Sequence, residues 1–387
     1  MQRLDGILSE VIEARALKCV SGMIGTADQV LYQNAFGDTG LSGAMATDSV
    51  VAIMSMTKAV TGAAAMQLVE QGRLELDAPA GALLPYLNEV QVLEELSSAG
   101  EPKLRAPNGP VTLRNLLTHT SGFGYSIFDK DVAAFVAATG TPSIVTRQKR
   151  ALEIPLMFDP GSCWRYGIGI DWVGLMVEAV SGQTLGEYLR EHIFMPLGMT
   201  DTGFEPTESM SARLVQAQQR QEDGTLRDAG RMGDPNGPSP EFEMGGGGLL
   251  STLEDYGRFV RMILRGGELD GQRVLSKETV AIMGQSHTGD VKVRKIPSLD
   301  PSRNHDAEFF PGDPKSWGLT FQINDQDAFT GRKAGTLMWA GLLNSYFWID
   351  PTSDIFGIFI TQLLPFADQT SVDTYYKFET AAYQVCG

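Results

Sequence analysis

The chain has 387 residues, 43% hydrophobic and 20% charged, which suits a globular enzyme of two domains or one large domain carrying an insertion. A formal charge of −16 disfavours nucleic acid and anionic membrane as partners. Three cysteines (Cys19, Cys163 and Cys386) fit neither a disulfide framework nor a zinc site, and they read as reduced thiols of a cytoplasmic protein.

No apolar h-region of a signal peptide is visible at the start, and no apolar run reaches the ~20 residues of a membrane span. Leu4, Ile7, Leu8, Val11 and Ile12 recur at helical spacing and predict an amphipathic first helix over 4–17. Short β-rich runs at Val20–Ile24 and Val30–Tyr32, broken at Gly25 and Asp28, predict a hairpin. A strand at Val50–Met54 then delivers Ser55. The stretch 56–71, rich in alanine and methionine, predicts a helix apolar nearly all round and therefore buried.

Beyond Gly72 the chain turns to loops, a polar stretch at 97–110 and a short helix at Leu116–His119. Helical patterns follow at 130–138, 169–181 and 184–194, then an irregular polar stretch from Gly203 to Glu243. A helix at 252–265 starts on the capping box Ser251-x-x-Glu254. The charged stretch 285–314 reads as a long loop. Strands are predicted at Leu337–Trp339, Ser345–Ile349 and Ile355–Ile360, with a closing helix at about 367–383. The fold class is thus α/β (α+β): a discontinuous domain of 1–72 and 244–387 around an antiparallel sheet, with a mostly helical domain, 73–243, inserted and a ligand cleft between them.

Ser55 and Lys58 hold the chemistry. Residues at i and i+3 share a helix face, so the lysine amine reaches the serine hydroxyl, and a helix start supplies backbone N–H groups and a favourable dipole for an oxyanion. The same spacing also describes an N-cap serine and a solvated lysine. This is the one serine in the chain followed three residues later by lysine. Tyr166, between Gly161 and Gly167, offers a rigidly held phenol, or an aromatic packed at a loop corner. Gly341, in Met338-Trp339-Ala340-Gly341-Leu342, lets backbone and substrate approach closely. The histidines His119, His192, His287 and His305 are scattered and form no metal-binding spacing, so neither metal nor cofactor is implied.

Together these pieces resemble serine hydrolases built like class C β-lactamases and penicillin-binding proteins, and within them the family VIII carboxylesterases. The resemblance rests on Ser55-Met56-Thr57-Lys58, Leu116–Phe123, Pro160-Gly161…Trp164-Arg165-Tyr166, Ile193–Phe204, Gly246–Thr252 and Trp339-Ala340-Gly341, in the family's order. It implies a β-lactamase-like fold with flanking terminal helices. It also implies a nucleophilic Ser55, general base and acid work shared by Lys58 and Tyr166, and an oxyanion hole of the Ser55 and Leu342 N–H groups. Trp339, Ala340, Gly341, Ile168, Gly167 and Phe123 are the substrate-binding positions, and His119 is structural.

Two departures shape the expected activity. Where class C β-lactamases carry a lysine, this chain has Trp339, and where their tyrosine motif ends in asparagine it has Ile168. Losing both removes the partners of a substrate carboxylate and amide. The expectation is hydrolysis of short- to medium-chain carboxylic esters through an acyl-enzyme, a small-molecule substrate, and a monomer or homodimer. The alternatives are weak β-lactamase or D-Ala-D-Ala peptidase activity and acyl transfer to an alcohol. Gly245–Gly248 lacks a following Lys-Ser/Thr and reads as close backbone packing in place of a phosphate loop.

Overall fold

A seven-stranded antiparallel sheet is assembled from both ends of the chain in a computed structural model that describes residues 1–40, 43–230 and 239–386. Its spatial order is Lys315–Trp317, Gln322–Asn324, Leu337–Gly341, Ser345–Asp350, Ile355–Ile360, Cys19–Gly25 and Val30–Gly37. The N-terminal hairpin therefore docks on the last long strand, with Ser21 opposite Ile360 and Gly25 opposite Phe356. The strands Ser345–Asp350 and Ile355–Ile360 are buried along their whole length, as unbroken apolar runs demand when both faces are covered.

One face is covered by the terminal helices Gln2–Glu13 and Gln369–Cys386, through Leu4, Leu8, Tyr375 and Phe378. Gly22 makes this approach possible: a Cβ there would lie 2.6 Å from the Phe378 ring. The helix Leu253–Leu264 covers the opposite face, its Tyr256 ring 5.5 Å from that of Phe347. Helix Thr57–Glu70 is buried from Thr57 to Leu68 and runs through the core, as its lack of a polar face predicts. Most of its buried polar groups are bonded, Gln67 Oε1 being without a partner among the described residues. Thr61 Oγ1 donates to Gly245 O at 2.8 Å and Gln67 Nε2 to Val274 O at 2.9 Å.

The stretch between the two halves of the sheet carries helices at Leu113–Leu117, Lys130–Thr139 and Gly169–Ser181, and it also holds strands that the sequence pattern does not announce. Val92–Leu96, in the stretch read as loops, pairs with Pro102–Arg105 inside the stretch 97–110 read as polar. Ala217–Arg220 pairs with Leu226–Gly230 and with Leu363–Leu364, within the stretch read as irregular; residues 231–238 of that stretch lie outside the described residues. The Gln-rich run has no apolar alternation, so its strand character comes from its partners. The strand expected at Val50–Met54 is reduced to Val51–Ala52, which pairs with Leu250–Ser251 away from the main sheet. No described helix is long and apolar enough to cross a membrane.

Candidate active site

Ser55 sits in a single 3₁₀ turn, Met54–Met56, that leads directly into the Thr57–Glu70 helix. Met54 is held at φ +50, a left-handed conformation that costs a non-glycine residue about 1–2 kcal/mol. Packing with Ala52, Leu250 and Leu343 holds it there. The strained turn exposes Ser55 in part, while Met54 and Met56 are buried on either side of it.

Lys58 is fully buried. Its Nζ lies 3.2 Å from Ser55 Oγ, 3.0 Å from Tyr125 Oη and 2.5 Å from Gly246 O. Gly246 O can only accept. Two N–H groups directed at Gly246 O and Tyr125 Oη leave the third tetrahedral direction for Ser55 Oγ, where the lone pair points when Lys58 is a free amine. The i,i+3 spacing thus brings the pair together, and the contacts to Tyr125 and Gly246 aim it.

Tyr125 is the residue that sequence reasoning missed; nothing in the sequence separates it from the other buried aromatics. Burial, and then the neighbouring Asp171 carboxylate, push its hydroxyl well above the usual range, so it keeps its proton. Asp171 is buried in the first turn of the Gly169–Ser181 helix, and its Oδ1 accepts the Gly246 N–H at 2.9 Å. Burial pushes its carboxyl up to about 6, against the opposing pull of Lys58, the Gly246 N–H and Tyr125. The glycine run is a packing surface: a Cβ at Gly246 would lie 2.5 Å from Asp171 Oδ2, and one at Gly245 would meet Ile170 O at 3.0 Å.

Tyr166 closes the other side. The Lys58 Nζ stands 4.8 Å from its ring centroid, and its hydroxyl accepts a hydrogen bond from Trp339 Nε1 at 3.1 Å. Trp339 comes from the sheet and Tyr166 from the loop before the Gly169–Ser181 helix, so this bond ties the two halves of the structure together. The Tyr166 ring also packs on His119 (4.7 Å between centroids) and on Phe128 (5.9 Å). His119 is buried at φ +58, and its Nδ1 accepts the Gly167 N–H at 3.4 Å. Burial, then the Lys58 charge, hold its pKa well below the usual range. A neutral imidazole in this place supports the Tyr166 loop and contacts neither Ser55 nor Lys58 by hydrogen bond.

The remaining sequence-derived positions divide. Gly341 ends its strand against the nucleophile turn, where a Cβ would lie 2.5 Å from Ile53 O, and Leu342 packs on the Met54 cluster. A cavity of about 320 Å³ opens beside Tyr166, lined by Phe128 and Trp164 and by the charged Asp129, Lys130, Asp131, Arg165, Arg294 and Lys295; Ser55 and Lys58 do not line it. The Arg165 guanidinium on that wall is 2.5 Å from Asp129. Phe123, Gly167, Ile168 and Ala340 do not line it. Phe123 is buried and stacks on Trp172 at 6.0 Å, and a Cβ at Gly167 would lie 2.1 Å from Phe123 O. Ile168 and Ala340 are buried too. These four pack the framework behind the site. Among the described residues no group of His, Cys, Asp and Glu is placed to hold a metal ion.

Comparison with known proteins places this arrangement in company. The Beta-lactamase family model matches residues 4–382. The lovastatin esterase of Penicillium rubens is 32% identical over 377 residues, spanning 92% of this chain and 91% of its own. The ML-236A carboxylate methylbutanoyltransferase of Penicillium citrinum is 30% identical over 350 residues, 88% of this chain and 82% of its own. Among solved structures, a mutant of the simvastatin synthase of Aspergillus terreus superposes with a TM-score of 0.84 at 29% identity, covering 99% of this chain and 96% of that one.

Proposed function

The chain belongs to the beta-lactamase family, and from that premise we propose that it is a family VIII-type serine carboxylesterase acting through an acyl-enzyme on Ser55. The observation that carries the proposal is the Lys58 amine, buried and directed at Ser55 Oγ by its bonds to Gly246 O and Tyr125 Oη. Serine hydrolase chemistry is common to the family, with esterase and acyltransferase relatives. The substrate class and the residue roles are our reading.

In the acylation step the Ser55 oxygen attacks the ester carbonyl carbon as its proton passes to Lys58. The Ser55 and Leu342 N–H groups receive the negative charge that develops on the carbonyl oxygen. When the carbon–alkoxy bond breaks, the Lys58–Tyr166 pair returns a proton to the leaving alcohol. Water then attacks the acyl-serine by the same route in reverse, releasing the acid and restoring Ser55. Trp339 Nε1 gives the Tyr166 oxygen a donor that stabilises negative charge passing through it. Trp339 and Ile168 stand where class C β-lactamases carry a lysine and an asparagine, so the partners of a substrate carboxylate and amide are missing and esters rank ahead of β-lactams.

A second reading, acyl transfer to an alcohol in place of water, is favoured by the likeness to the methylbutanoyltransferase. It shares the first half of the reaction. Turnover of p-nitrophenyl butyrate by wild type, Ser55→Ala, Lys58→Ala and Tyr166→Phe tests the common mechanism. Losses of about 10³-fold or more are expected for the first two variants, and near-wild-type rates in either would sink it. Nitrocefin assayed beside the ester ranks lactam against ester. Adding a primary alcohol and measuring the ester product ranks water against alcohol.

A further inference from the structure

Among the described residues, His287 is the one histidine whose two ring nitrogens both have hydrogen-bond partners. Nε2 lies 2.8 Å from Ile282 O, and Nδ1 lies 2.5 Å from Arg114 Nη1. A carbonyl oxygen only accepts and a guanidinium only donates, so the partners fix the tautomer: Nε2 carries the proton and Nδ1 keeps its lone pair. The ring is neutral in this arrangement. A second proton, on Nδ1, would set an N–H against a guanidinium N–H.

Arg114 has little freedom to turn away. Its Nε and Nη2 hold the two Asp77 carboxylate oxygens, each at 2.6 Å, and its backbone N–H donates to Leu76 O at 2.8 Å. Arg114 and Asp77 are the charged groups that face the His287 ring, and its own segment brings the Ile282 carbonyl. Burial and then Arg114 hold its pKa below 6.5, against the opposing pull of Ile282 O and Asp77.

The contact lies on a seam that leads to the site. Arg114 belongs to the helix Leu113–Leu117, in the stretch between the two halves of the sheet, and His287 follows the helix Lys277–Met283. Two backbone bonds lace the His287 segment to the sheet edge: His287 N–H to Trp317 O at 2.9 Å and Leu319 N–H to Met283 O at 3.0 Å. Three residues beyond Arg114, the Leu117 carbonyl accepts from Trp317 Nε1 at 3.2 Å. Arg114 and Leu117 share a helix face, so that face is tied to the edge strand at two points. The Trp317 ring in turn packs on His119 at 5.0 Å and on Trp339 at 4.5 Å, the two residues that support Tyr166.

We propose that His287 and Arg114 form an acid-sensitive latch across this seam: neutral His287 accepts the Arg114 N–H and seats the helix Leu113–Leu117 on the sheet edge, and a proton on Nδ1 releases it. Protonation replaces a hydrogen bond with two cations face to face. The folded pKa lies below that of a free histidine, so the latch is closed at neutral pH. Its contribution to stability is lost as the pH falls from 6.5 through the folded value. Tyr166 then loses part of its support, and ester turnover drops. This last consequence rests on the proposed function; the latch itself does not.

The test follows the full-length protein, labelled with ¹³C-histidine, by NMR from pH 4 to pH 8. Wild type, His287→Gln and Arg114→Met are compared, with tryptophan fluorescence and kcat for p-nitrophenyl butyrate measured over the same range. Glutamine offers a carbonyl to Arg114 and an N–H to Ile282 O, and it carries no charge at any pH. The resonance missing from His287→Gln identifies His287. It should titrate at lower pH in wild type than in Arg114→Met, and wild-type fluorescence should step at that same pH, a step absent from both variants. The ratio of wild-type kcat to that of His287→Gln cancels the acid limb that both share. It should fall about fivefold through the His287 titration, the worth of one hydrogen bond.

A His287 that titrates in wild type at or above its pH in Arg114→Met overturns the proposal. So does a fluorescence step that persists in His287→Gln, or a kcat ratio that stays flat with pH. If wild type does not hydrolyse the ester at any pH, the proposed function fails, while the NMR and fluorescence results still decide the latch.

Discussion

Gly341→Ala puts the geometry of the oxyanion hole under direct strain. The strand Leu337–Gly341 ends against the nucleophile turn, and a methyl at 341 would sit 2.5 Å from Ile53 O, backbone against strand. Ordinary contact lies near 3.5 Å, so strand and turn must separate by about 1 Å. Neither gives easily. Gly341 is paired with Ser345 and Ala340 with Tyr346 in the buried sheet, and Met54 is already held in a left-handed conformation. The Leu342 N–H, one residue on, moves away from Ser55 by a similar amount. A misplacement of about 1 Å costs about 10²-fold in rate, and loss of one oxyanion donor about 10²–10³-fold. We expect kcat for p-nitrophenyl butyrate to fall by about 10²-fold with KM little changed, and overpacking to lower stability by about 1–3 kcal/mol. A variant with kcat within about threefold of wild type and an unchanged Tm would refute the placement of the oxyanion hole.

Three further outcomes follow. Trp339→Phe keeps an aromatic ring but removes the N–H held by Tyr166; the loss of one hydrogen bond, about 1 kcal/mol, should lower kcat about fivefold, while the space left by the smaller buried ring lowers the Tm. Glu379→Ala strands the fully buried Arg332 guanidinium, which also stacks at 4.3 Å on Phe310. That should cost about 3–5 kcal/mol in denaturant unfolding while KM below the transition stays as in wild type, whereas replacing both partners by apolar residues should restore most of the stability. Asp171 also shapes stability against pH. Its folded pKa, raised from 3.8 to about 6, means the folded state holds the extra proton between those values, so its contribution declines as pH rises through that window. The stability of Asp171→Asn relative to wild type should therefore grow between about pH 4 and pH 7, and a flat difference would count against a charged, buried Asp171.

Much of this was legible where the signal is local. The spacing of Ser55 and Lys58 is a property of one helix turn, the helix at 57–70 shows as one apolar, proline-free run, and that at 169–181 carries its periodicity within itself. The hairpin Cys19–Gly25 and Val30–Gly37 and the closing strands are apolar runs between turn residues. The strands Lys315–Trp317, at the sheet edge, and Gln322–Asn324, next to it, escaped because each has three residues and only its neighbours make it a strand. The same holds for Ala217–Arg220. Phe123 and Gly167 belong to the motifs that mark the family, but they do so by packing on each other behind the site. Tyr125 is joined to Lys58 across 67 positions of chain and Asp171 to Gly246 across 75, and no spacing rule reaches that far. The Trp339–Tyr166 bond spans 173 positions, and it makes a tryptophan expected among the substrate-binding positions a hydrogen-bond donor to Tyr166.

The central claim is that an ester acylates Ser55. Wild-type protein mixed with p-nitrophenyl butyrate, quenched in acid within the first turnover and digested, should yield the peptide containing Ser55 with the mass of one added butyryl group. The Ser55→Ala protein should yield no butyrylated peptide. A burst of p-nitrophenol with no acyl group on that peptide, or an acyl group on another residue, would contradict the account.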